Sequence, residues 1–206
     1  MFGVPRYRAG IPYLAIAPTA SFGDPTTWVF FSGTAQSPVW LTRQQWEAGT
    51  NANGEWIPPA SNVEIFMAQP AAERCVGEHS VTYNAPLGQW LMLYACGPWT
   101  VEARLAPQPW GPWSQPMVLV DAVQSPGIVC TLFQNAANNC PGVQPTAKTG
   151  SGFLYAPSVL NRYTQVANVK EPGLTWITIY WLVSTWNPYN VVVMQTTLTH
   201  HPLKFP

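Results

Sequence analysis

The 206-residue chain has nine Lys/Arg, nine Asp/Glu, zero net charge and only 9% charged residues, against roughly 25% in an average soluble domain. No Lys/Arg run or stripe exists, which argues against a nucleic-acid or anionic-membrane partner, and no stretch approaches the ~20 apolar residues of a membrane span. Twenty-two Pro, with 11 Trp, 8 Tyr and 8 Phe spread along the length, work against helices and favour strands.

In chain order, Ile11 to Ala17 and Thr27 to Gly33 read as strands of an early module whose first strand is absent. Ser80-Val81-Thr82-Tyr83, the turn Asn84 to Gly88 and Trp90 to Tyr94 form the clearest hairpin, with turn residues between two β-rich runs of matched length. Val101 to Leu105 alternates apolar with polar and continues it, and Met117 to Val120 follows the Pro/Gly/Trp turn at 106–116 as a fourth strand. The order recurs as Tyr155 to Leu160, a polar insert, Trp176 to Ser184, and Val191 to Thr196 after the turn at 187–190.

Repeated four-stranded modules indicate a β-propeller, in which each blade needs neighbours to cover its faces. The expected fold is all-β, an incomplete five-bladed propeller in one partial domain. Residues 1–70 would end one blade, 75–133 form a second and 153–200 a third, about two and a half blades of antiparallel sheet, fewer than the four to eight of closed propellers. A two-sheet sandwich is the alternative, and open blade faces invite self-association. Met1-Phe-Gly-Val-Pro-Arg-Tyr-Arg has neither a basic n-region nor an apolar h-region, so a secreted-type, extracellular body with a missing N-terminal portion is expected. Cys75 with Cys96 and Cys130 with Cys140 are spaced to pair as disulfides; four buried free thiols are the alternative.

Several segments in order carry a resemblance to a known family: Phe2 to Gly10 with Pro12-Tyr13-Leu14-Ala15, Thr27 to Gly33, Gly77-Glu78-His79-Ser80, and Trp90 to Tyr94. Pro109-Trp110-Gly111-Pro112-Trp113-Ser114, Tyr155-Ala156-Pro157, Ser184 to Tyr189 and Val191 to Met194 complete it. Together they resemble the domain of unknown function 4185 family, whose members are associated with endo-D-arabinanase activity as glycoside hydrolase family 183. The resemblance implies a five-bladed propeller with a sugar-cleaving centre at its axis, a polysaccharide or oligosaccharide partner, and no cofactor. It also implies that the first blade, where the catalytic base usually lies, has no counterpart in this chain.

Glycoside hydrolysis normally uses two carboxyl groups, one to protonate the leaving oxygen and one to activate water or attack the sugar. Glu78 is the candidate proton donor: it lies on the first strand of a blade, behind a glycine, among apolar neighbours whose desolvation raises a carboxyl pKa, and beside His79, which could bond to it. The plainer alternative is a structural pair with an Arg or with His79. Asp24, before Pro25, and Asp121, at a strand end, read as turn and loop formers and not as the second carboxylate. Arg6, Tyr7 and Arg8 are candidates for binding sugar hydroxyls, against the alternative of solvated loop charges. His79, Trp110, Trp113, Tyr155 and Trp186 are candidate substrate contacts; for the tryptophans, stacking under a sugar ring competes with packing between sheets. His79, His200 and His201 lack a zinc spacing.

Overall fold

In the computed structural model the chain is all-β, with 60% of the described residues in strands and every sheet antiparallel, consistent with a partial propeller-like fold. The structure describes residues 1–4, 12–49, 75–122, 124, 153–168, 175–186 and 189–200. The chain divides into two compact units, Met1–Val76 with Ala106–Ser114, and Gly77–Leu105 with Gln115–Pro206.

The first unit holds an antiparallel sheet in the order β1 (Phe2–Gly3), β2 (Tyr13–Ile16), β3 (Val29–Gly33), β4 (Pro38–Thr42). Where the sequence pattern shows no opening strand, two residues suffice: Phe2 faces Leu14 and Gly3 faces Tyr13. The β3–β4 turn requires a glycine, because Gly33 has φ +136° and a Cβ there would lie 2.5 Å from the Ser37 carbonyl oxygen. Thr42 ends β4 and starts α1 (Arg43–Glu47) through a capping box, its hydroxyl accepting from Gln45 N while the Gln45 side chain reaches back. The helix stacks Trp46 on Phe30, centroids 4.5 Å apart, and sets its edge against Tyr13.

The second unit contains two sheets. One runs β5 (Val76–Asn84), β6 (Gln89–Cys96), β7 (Thr100–Ala106), β8 (Met117–Asp121) in spatial and sequence order, the up-and-down arrangement of a blade. The β5–β6 turn is fixed locally: Gly88 N donates to Ala85 O, Leu87 N donates to Asn84 Oδ1, and Gly88 takes the left-handed φ of +64°.

The other sheet contains β9 (Phe153–Val159), β10 (Gln165–Asn168), β11 (Thr175–Trp186) and β12 (Asn190–His200). β12 opposes β11 without a break from Thr175↔His200 to Thr185↔Asn190. A strand has two edges, so β9, opposite 181–186, and β10, opposite 175–178, must share the remaining one. The sheet is therefore three strands wide. A bulge interrupts β9 between Tyr155 and Ser158, where Ala156 has φ +49°.

The two sheets bury one common core. Leu91, Leu93, Val101, Ala103 and Leu105 of the first meet Leu154, Ile177, Ile179, Trp181 and Val183 of the second. The alternation along β7 and β11 dictates this, since every second residue is apolar, whereas β6 is apolar on both faces and buried on both. Burying each large side chain fully contributes about 1.5–3 kcal/mol. Trp181, fully buried, satisfies its indole by donating Nε1–H to Thr196 Oγ1 at 3.0 Å.

Candidate functional site

Strand alternation divides β5 into two faces with different fates. Its odd-numbered residues share a face with Cys75, bonded to Cys96, and with Tyr83, whose ring meets Trp90 edge-on at 5.8 Å. Its even-numbered residues, Glu78, Ser80, Thr82 and Asn84, look toward the β9–β12 sheet: Asn161, in the turn after β9, donates from Nδ2 to Thr82 Oγ1 at 2.7 Å and to Tyr83 O at 2.8 Å. Asn84, fully buried, donates from Nδ2 to Asn161 Oδ1 and Thr164 Oγ1, each at 2.9 Å. On this face β6 and β7 are apolar core, while β5, the terminal strand, is polar over four consecutive inward positions.

Two members of that stripe are not part of the Asn161 clamp. Glu78 is half-buried. The Ser80 hydroxyl is buried and has no hydrogen-bond partner among the described residues. A buried hydroxyl left unpaired costs free energy, so its position beside a half-buried carboxyl at the edge of a core is unusual.

His79 lies on the opposite face from Glu78. Its Nδ1 is 2.9 Å from Gly77 O, so the backbone carbonyl, not Glu78, is the partner the structure gives it. That face also carries a polar cluster absent from the sequence reading. Tyr94 donates its hydroxyl to Glu102 Oε2, and the Tyr94 phenol oxygen accepts from Arg104 Nε at 2.9 Å, with Tyr94 and Arg104 almost fully buried. Burial, and then the hydrogen bond to Glu102, hold the Tyr94 phenol above its ordinary pKa. The Sγ atoms of Cys75 and Cys96 and a Glu102 oxygen lie within 4.8 Å of one another. Joined as a disulfide, the sulfurs offer no thiolate, so this is not a metal-ligand set.

The remaining sequence-derived candidates divide between packing and exposure. Trp110 meets Trp40 edge-on at 5.9 Å, and Trp113 meets Phe2 edge-on at 6.2 Å, all within the first unit. Tyr155 opposes Ser184, on the face of the β9–β12 sheet turned away from the shared core. On that face Trp186, 38% exposed, stacks on Phe153 with centroids 5.2 Å apart. Arg6, Tyr7 and Arg8 lie outside the described residues, as do Cys130, Cys140 and His201. An apolar cavity of about 290 Å³ in the first unit is lined by Tyr13, Trp28, Phe30 and Trp46 among others, none of them a candidate site residue from the sequence, although the first three lie in the segments that carry the family resemblance.

The other described carboxylates have structural duties. Asp24 caps a turn by accepting from Thr26 N and Thr26 Oγ1 at 3.0 and 2.7 Å, and these bonds lower its pKa. Glu47 pairs with Arg43 on the exposed face of α1, Glu102 serves Tyr94, and Asp121 accepts from Gln124 N. The turn and loop roles read for Asp24 and Asp121 thus hold. Among the described residues no helix is long and apolar enough to cross a membrane.

No curated protein matches the chain. The profile of the domain of unknown function (DUF4185) family matches residues 1–195, a span that includes every segment carrying the resemblance, and the chain belongs to that family.

Proposed function

We propose that this protein is a glycoside hydrolase-like member of its family that engages arabinofuranan, with Glu78 as the acid that protonates the leaving glycosidic oxygen. The observation that carries the reading is the β5 stripe, a half-buried carboxyl two positions from a buried hydroxyl without a described partner, at the polar edge of an apolar face. A sugar bound at that edge would bring its glycosidic oxygen to Glu78 and, by displacing what covers Ser80 Oγ, would give that hydroxyl a partner. Protonation by Glu78 makes the departing sugar a neutral alcohol, and the oxocarbenium-like centre left behind is taken by water or a nucleophile. Glu78 supplies only the acid half of this chemistry, and the other described carboxylates have the structural partners given above. The family resemblance supplies the substrate class, and the Cys75–Cys96 disulfide suits an extracellular place of action.

The test is release of oligosaccharides from D-arabinan. General-acid contributions are about 10²–10⁴-fold, so Glu78→Gln should lower release by that order with the far-UV circular dichroism unchanged. A variant that cleaves as fast as the parent overturns the assignment.

A second reading, binding without cleavage, is favoured by the exposed Phe153–Trp186 stack with Tyr155 on the same face. Aromatic faces of this kind suit furanose rings. It expects calorimetric binding of arabino-oligosaccharides that Trp186→Ala weakens, with no product released.

A further inference from the structure

The β9–β12 sheet ends in an edge without the usual protections. β12 is its terminal strand, eleven residues from Asn190 to His200, and no described residue pairs with its outer side. Natural edge strands are blunted by charges, prolines, bulges or shortness. β12 has none of these: its sequence, NVVVMQTTLTH, lacks Pro, Lys, Arg, Asp and Glu, and its pairing with β11 contains no register shift. Its side chains facing away from the core are well exposed, with Val191 at 66% and Val193 at 62%. The sheet is also one strand narrower than its neighbour β5–β8, because β9 and β10 share one edge of β11.

We propose that β12 is an interaction edge whose occupant is the β12 of a second copy of this chain, added antiparallel about a two-fold axis through Gln195. The strand's own sequence argues for this partner. In an isologous antiparallel pair residue i meets the partner's residue 390 − i when all eleven positions are used. Val191 then meets the partner's Thr199, Val193 the partner's Thr197, and Gln195 the partner's Gln195 on the exposed face. On the core-side face Val192 meets the partner's Leu198 and Met194 the partner's Thr196. Every such pair joins β-branched, apolar or neutral polar side chains, with no charge opposed to a like charge. Pairing in this register satisfies the outer N–H and C=O groups of both strands and joins two four-stranded sheets, each three strands wide, into one sheet six strands wide. The contact is an edge and leaves the Glu78 stripe uninvolved, so it stands or falls apart from the hydrolase reading.

Sedimentation equilibrium of the full chain should give a dimer, and Gln195→Lys, which opposes two ammonium groups on the axis, should weaken it at least tenfold with unchanged circular dichroism. Mild oxidation of Gln195→Cys should yield a disulfide-linked dimer. Val191→Cys should not cross-link, since its own mate lies eight positions along the strand. A parent that is monomeric throughout the concentration range, a Gln195→Lys variant as dimeric as the parent, or cross-linking of Val191→Cys in place of Gln195→Cys overturns the proposal.

Discussion

Tyr94 and Glu102 face each other across β6 and β7, and the phenol donates a hydrogen bond to the carboxylate while keeping its proton. Because the folded state holds that proton more tightly than the unfolded chain, whose phenol titrates near 10, the stabilisation is complete below pH 10 and declines as pH rises above it. The melting temperature of the parent should therefore fall more steeply above pH 10 than that of Tyr94→Phe, which has no proton to lose. Equal slopes in the two proteins would show that the phenol does not couple to folding.

The Cys75–Cys96 disulfide closes a loop of about 20 residues, for which chain entropy gives about 3 kcal/mol. Replacing both cysteines with alanine should lower unfolding free energy in urea by that order, and a reductant should have little further effect on the double variant through this bond. The measurement is a pair of urea titrations with and without dithiothreitol.

Asn161 holds Thr82, Tyr83 and Asn84 of β5 from the turn after β9. Truncation to alanine removes these bonds, although Asn84 keeps Thr164. A loss of about 1–3 kcal/mol is expected. If the stripe is the sugar site, Asn161→Ala should also raise KM, read from initial rates over a range of D-arabinan concentrations.

Ser80 separates structure from function. Removing a buried hydroxyl that has no described partner should leave stability within about 0.5 kcal/mol or raise it. Sugar affinity should fall if Ser80 Oγ bonds the ligand. Thermal melting and calorimetric titration of Ser80→Ala, done together, check both halves.

Much of this architecture is legible in the residues. The β5–β6 hairpin follows from Asn84 to Gly88 between two β-rich runs, and the alternation of Val101, Ala103 and Leu105 placed them in the core. β10 is not legible: Gln165–Asn168 is only four residues, half of them polar, and it becomes a strand because β11 extends past β9 and offers an edge. β4 and α1 carried a signal in Thr42-Arg43-Gln44-Gln45, a capping-box pattern. Glu102 and Arg104 read as the polar, solvent-facing half of an alternating strand, yet Arg104 is buried. Tyr94 and Glu102 stand four positions either side of Pro98, at the middle of the β6–β7 turn, so hairpin symmetry brings them opposite each other. Glu78 was found through its motif, whereas its face and its polar neighbours needed the Asn161 bonds to define them.

The irregularity at Ala156 sets which way the start of β9 is read. Leu154 and Val159 are five positions apart, an odd interval that in an unbroken strand would send them to opposite sides, yet both pack on the shared core. The extra residue shifts the strand by one frame, so Leu154 points in while Phe153 and Tyr155 point out. Deleting Ala156 alone would restore the unshifted frame, turning Leu154 toward water and driving the two aromatic rings into the interior.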